Sequence, residues 1–262
     1  MPNSRSFAAL RMTGRVLALT LLACRAAAHD FWIEPSSFRP AVGDRVTAAL
    51  RVGQKLRGDP VPRIPSLIER FEFDGTPMIG RTGSEPAGIA LVAREGVRWI
   101  GYQSQASYVT QDGQKFAQYL REEGLERITA RPENRERFYR CAKALVAAGG
   151  ITSGAFDKPL GFTLELVPRK NPYALRAGDE LPVALLFRGK PAGGVLVVAI
   201  NRDDPEAPVR ARTNAKGRAT LRLGRGGFWL IKAVQLEAAP AGAEVDWESW
   251  WASVTFDLQS RR

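Results

Sequence analysis

Apolar runs too short for helices, each closed by a turn rich in glycine, recur along this chain and restrict it to a mainly β fold. Arg45 to Gly53 and Ile68 to Phe73 set the pattern, the second ending at Asp74-Gly75. Ala90 to Arg94 and Val97 to Ser104 continue it across Glu95-Gly96, which suits a hairpin turn. Short strands at this spacing favour an antiparallel sandwich or barrel, and none alternates with helices as a parallel sheet would require.

The period changes after Asp112, a suitable N-cap. Phe116, Tyr119 and Leu120 recur at helical spacing, and Gly124 is placed to end the helix in a left-handed turn. A second helix is expected from Asn134, where Phe138, Cys141, Ala142, Leu145 and Val146 repeat until Gly149-Gly150. The two make a helical insert near 112–149 within a β-rich domain at 29–168, whose last strand is Gly161 to Val167.

A second module is expected at 169–262. Strands at Leu181 to Phe187, Val195 to Asn201, Ala219 to Leu223, Phe228 to Gln235 and Ser253 to Leu258 suit an immunoglobulin-like sandwich. Gly224 to Gly227 reads as a hairpin turn rather than a phosphate loop. The expected fold class is therefore mainly β: two β-sandwich domains, the first with a helical insert, the second immunoglobulin-like.

Residues 1–28 read as a signal peptide: Arg5, Arg11 and Arg15, then the apolar run Val16 to Ala23, then Ala26-Ala27-Ala28 as a small-residue exit. Cleavage there leaves 234 residues, moves the net charge from +11 to +7, and makes the lone histidine, His29, the first residue. A rival route stays open, because Leu21-Leu22-Ala23-Cys24 resembles a lipobox, and lipidation of Cys24 would leave His29 internal. The apolar run is about half the ~20 residues of a spanning helix, so no membrane span is expected in the mature chain, and the expected location is the periplasm.

The charge is basic, but no basic run is interleaved with aromatic residues at a recognition spacing, so nucleic acid is not expected as a partner. With Cys24 gone, Cys141 stands alone and reads as a small buried hydrophobe rather than a nucleophile or part of a thiolate metal site.

Five separated segments occur in order: H-D-F-W-I-E-P with F-R-P-A-V-G-D, K-F-A-Q-Y-L-R-E-E-G-L, R-E-R-F-Y-R-C-A-K-A-L-V, L-G-F-T-L-E-L-V-P-R-K-N-P-Y, and D-W-E-S-W-W-A-S-V-T-F. Together they resemble the DUF4198 family over essentially the whole mature chain. The resemblance implies an exported protein, similar to the periplasmic part of nickel-uptake systems, with no catalytic activity to carry over. It also implies a metal role, with His29 matching the family's start.

A terminal His29 would offer its α-amine and imidazole Nδ1 as two donors for Ni²⁺, Cu²⁺ or Co²⁺, to which backbone amides or the carboxylates of Asp30 and Glu34 could add. No second imidazole exists for a copper brace, and no HExxH, G-x-S-x-G or Walker pattern occurs, so no enzyme and no organic cofactor are expected. Glycoside hydrolysis by two carboxylates stays open as a third reading, since it needs only a pair of acids: Asp246 and Glu248 flank Trp247 and precede Trp250-Trp251 as a sugar platform would, although the run reads better as alternating core tryptophans of an edge segment. Glu122, Glu123 and Arg127 read as helix-surface charges. The expected function is metal handling beside a membrane transporter or outer-membrane receptor. The alternative is a structural or glycan-binding envelope module without metal.

Overall fold

A computed structural model describes residues 29–260; the expected signal peptide and Cys24 lie outside them. The strands are β1 (Asp30–Pro35), β2 (Arg45–Gln54), β3 (Arg57–Val61), β4 (Ile68–Phe73), β5 (Thr76–Pro77), β6 (Gly88–Leu91), β7 (Gly96–Ser104), β8 (Ser107–Asp112) and β9 (Glu133–Ala148). After these come β10 (Leu164–Pro168), β11 (Glu180–Phe187), β12 (Lys190–Pro191), β13 (Leu196–Asn201), β14 (Asp204–Arg212), β15 (Arg218–Arg222), β16 (Gly227–Ala238) and β17 (Trp247–Leu258). One α-helix, α1 (Gly113–Glu122), lies between β8 and β9. The chain is mainly β.

The chain runs the same course twice. In the first half β1, β2 and β6 form a small sheet with β2 central and β3 its short return, while β4, β5, β7 and β9 join a larger sheet. In the second half β10, β11 and β15, with β12 as the return, repeat the small sheet, and β13, β14, β16 and β17 repeat the contribution to the large one. β8 and α1 are an insertion between β7 and β9. The last strands of the halves, β9 and β17, pair in parallel from Trp247 opposite Glu136 to Thr255 opposite Ala144, fusing the two contributions into one nine-stranded sheet.

The small sheets cover opposite faces of the large one. Ile100, Tyr102, Ala142, Ala144 and Val146 face Phe31, Ile33, Val46 and Leu50 of the first small sheet. Val97, Trp99, Leu145 and Ala147, one residue out of phase, share a core with Leu164, Leu181, Leu185 and Leu221 of the second. The period of two in a strand makes this possible, since neighbouring residues point to opposite sides.

The halves also enter their second strands alike. Gly43 and Gly178 take φ of +92° and +95°, each just before an aspartate, Asp44 or Asp179. Asp44 Oδ2 accepts from the Ala41 N–H at 2.8 Å and Asp179 Oδ2 from the Arg176 N–H at 2.9 Å. The glycine N–H groups donate across to Val92 and Leu223.

Several expectations change. The second helix expected from Asn134 is β9. Its residues 141–148 are buried on both faces, so apolar side chains fall at every position except Lys143, which Glu165 pairs, and satisfy the helical template by coincidence. The strand expected to close the first domain is present as β10, but it pairs with β11 and opens the second half. The insert is thus β8 and α1, not 112–149. Glu95-Gly96 and Gly224 to Gly227 are not hairpin turns: each carries the chain from a small sheet into the large one, between β6 and β7 and between β15 and β16.

α1 follows its signals. The Asp112 carboxylate accepts from the Lys115 N–H at 2.9 Å, Phe116, Tyr119 and Leu120 are buried, and Gly124 takes φ +69°. The helix packs on Val234, Leu236, Trp247 and Trp251, the face of β16 and β17 turned away from the second small sheet.

Candidate functional site

β1 carries the start of the described chain onto the large sheet. Phe31 and Ile33 enter the first core, while Trp32 packs with Leu56, Val198, Ile200, Phe228 and Leu230. The Thr255 hydroxyl donates to the Ile33 carbonyl at 2.7 Å and ties the strand to β17. This anchoring leaves Asp30 buried at the head of β1, facing Lys232 of β16.

Lys232 bridges two carboxylates from different elements. Its Nζ lies 2.6 Å from Asp30 Oδ1 and 2.6 Å from Glu123 Oε1, where α1 ends. Burial alone would push the lysine ammonium down, but the charges of Asp30 and Glu123 outweigh it and hold it above its ordinary value. Burial pushes the Glu123 carboxyl up, against the pull of Lys232. The triad therefore keeps its lysine charged and presents two carboxylates to one cation.

The triad opens into a cleft of about 350 Å³ where the first small sheet, α1 and β14 meet. Val198 and Ile200 contribute an apolar part of its lining; Gln54, Glu122, Arg210 and the ion pair of Lys55 with Glu206 contribute polar parts. Its size falls in the range of small-ligand sites.

The three expected metal ligands do not converge. His29 is partly exposed and stands directly before Asp30. Glu34 is four residues along an extended strand, about 13 Å from Asp30, and its carboxylate is engaged by Arg202 at 2.9 Å and Arg51 at 3.7 Å. Asp30 is ion-paired with Lys232. Among the described residues no group of three or more His, Cys, Asp or Glu is arranged to hold a metal ion. Glu123, expected on a helix surface, is buried, whereas Glu122 stays exposed as expected. Lys232 carried a signal in the sequence: it is a charge inside the apolar run F-W-L-I-K-A-V.

The family profile described as Domain of unknown function (DUF4198) matches residues 26–237. The chain belongs to the DUF4198 family. The matched region holds the whole triad, from Asp30 to Lys232. No curated protein matches this DUF4198 chain. Among solved structures it is similar to the D0-D1 domain of intimin at 13% identity, over 87% of this chain and 97% of that one, with a TM-score of 0.21. It is also similar to the Yersinia pseudotuberculosis adhesin InvE at 13% identity, over 86% of this chain and 58% of that one, with a TM-score of 0.23. Likeness at these scores supports no statement about function.

Other chemistry-bearing groups of the DUF4198 chain are engaged in its packing. Asp246 accepts from the Arg135 N–H at 2.8 Å and pairs with Arg131 at 2.6 Å; the backbone bond above all holds its carboxyl below the usual range. Glu248 accepts from Arg137 Nε at 2.8 Å. Trp247 and Trp251 stack on Phe116 and Tyr119, and Trp250 on Tyr139, in a central strand rather than the edge segment expected. Cys141 is buried and its thiol is pushed up to about 12 by that burial. Lys143 meets Glu165 at 2.8 Å with both side chains buried, and the Glu165 carboxylate also gathers the N–H groups of Leu160, Gly161 and Phe162, fixing the approach to β10.

Proposed function

We propose that this is an exported, non-enzymatic periplasmic protein that handles nickel or another divalent transition metal beside an uptake system. The ion is its cargo, taken at the chain start and passed to a membrane transporter or receptor. One observation carries the reading: the sole histidine stands partly exposed directly before β1, next to Asp30, which lines a charged cleft.

Cleavage after Ala28 gives His29 an α-amine beside its imidazole, two nitrogen donors of the kind that suit Ni²⁺, Cu²⁺ or Co²⁺. Since Asp30 is held by Lys232 and Glu34 by Arg202, further donors come from backbone amides, water or the receiving protein. A site completed partly by its partner suits transfer. The non-enzymatic reading is supported by Asp246 and Glu248, whose carboxylates are held by arginines rather than left to exchange a proton.

Each half reads as an immunoglobulin-like sandwich, an order supported by β10-β11-β15 packed over β17-β16-β13-β14. In this reading the sandwiches are the frame that holds β1 and α1 on either side of the cleft.

The test is calorimetric titration of Ni²⁺ into the chain prepared to begin at His29. Tight binding is expected, and His29→Ala should abolish it. Equal affinity of the two chains would sink the reading.

A further inference from the structure

The buried part of the cleft sets two acids against one base. Asp30 and Glu123 are 5% and 3% exposed, and Lys232 is the one ammonium paired with both. The rim charges cancel, Lys55 and Arg210 against Glu122 and Glu206. Asp30 Oδ1, although 2.6 Å from the lysine Nζ, accepts no hydrogen bond of acceptable angle. A buried carboxyl oxygen with unused acceptor capacity is costly, and a group bearing N–H donors relieves it.

The chain itself brings one. Asp30 stands opposite Gly53 in the β1–β2 ladder, so continuing the register sets His29 opposite Gln54, which lines the cleft. The α-carbon before Asp30 is only about 3.8 Å from its own. An amine created at His29 would therefore start one residue from Asp30 and beside Gln54, two residues that line the cleft.

We propose that in the mature chain the α-ammonium of His29 docks in this cleft against the Asp30 and Glu123 carboxylates. The inference rests on cleavage after Ala28, as the metal reading does, and it adds a control on that reading. With the amine docked, the two-nitrogen chelate is closed, and an incoming ion has to draw the amine off the carboxylates and release its proton. The cleft then acts as a latch on the metal-binding terminus.

The test is run without metal, in the presence of a chelator, so its outcome does not depend on whether His29 binds an ion. Chains beginning at His29 are compared with the same chains acetylated at the α-amine, in the wild-type and Glu123→Gln backgrounds. Acetylation is expected to lower the melting temperature of the wild type by about 2–4 °C and to change that of Glu123→Gln much less. An equal shift in both backgrounds, or none in either, overturns the proposal. Should Glu123→Gln not fold, the wild-type chain alone decides: its α-amine should be acylated several-fold more slowly than that of the free peptide His-Asp-Phe, and equal rates overturn the proposal.

Discussion

Glu136 shows how far burial alone can move a side chain in this fold. It sits on β9 against β8, β17 and α1, 2% exposed, where its carboxylate meets the Ser249 hydroxyl, the Tyr119 hydroxyl at 3.5 Å and the Gln111 amide at 3.5 Å. These partners are neutral donors, and burial pushes the carboxyl up from 4.5 to about 7. Between those two pH values the folded chain holds a proton that the unfolded chain has lost. Stability from this group is therefore highest at low pH and falls as pH rises through the window, by roughly 3 kcal/mol in all. Glu136→Gln keeps the shape and removes the charge. Its urea midpoint should exceed that of the wild type at pH 8 and approach it at pH 4; a variant less stable at pH 8 would show that the three donors outweigh burial. No spacing rule marks Glu136, because what raises it is the helix laid over it, and that helix comes from an insertion.

At the scale of elements, α1 was legible and β9 was not, for opposite physical reasons. α1 is a surface helix, so its buried residues recur on one side and its ends need local chemistry that Asp112 and Gly124 supply. β9 is covered on both faces, which erases the alternation that identifies a strand, and its alanines are good helix formers. The site was legible only in part for a related reason. His29 and Asp30 lie together in sequence, but Glu123 and Lys232 reach them from α1 and β16 through tertiary packing alone. Gly124 links the element to the site. A Cβ there would sit 2.8 Å from the Leu196 Cβ and 2.9 Å from an Arg212 guanidinium nitrogen, and a left-handed residue other than glycine costs about 1–2 kcal/mol before any clash. Gly124→Ala should lower stability by about 1–3 kcal/mol in denaturant melts. An unchanged midpoint would mean that the helix end re-forms elsewhere.

The whole molecule follows from the pairing of β9 with β17, which no local signal announces. Turn residues punctuate each half and gave the strands their places, yet parallel pairing between strands about a hundred residues apart leaves no mark on either. A trace of the repeat is nonetheless written in the chain, as Gly43-Asp44 before β2 and Gly178-Asp179 before β11. The fused sheet has a consequence for folding. The face of β13, β16 and β17 that carries Val198, Leu230, Val234 and Leu236 is covered by β1 and α1, both from the first half, and β17 takes β9 as its neighbour on one side. Removing the first half would expose that apolar face and leave a long, unpaired strand edge, a combination that favours aggregation. The chain should therefore unfold as one unit: calorimetry should show a single transition with equal calorimetric and van't Hoff enthalpies, and residues 164–262 expressed alone should be insoluble or unfolded. Two resolved transitions, or a folded fragment, would mean that the sandwiches are independent and that the sheet joining them adds little to either.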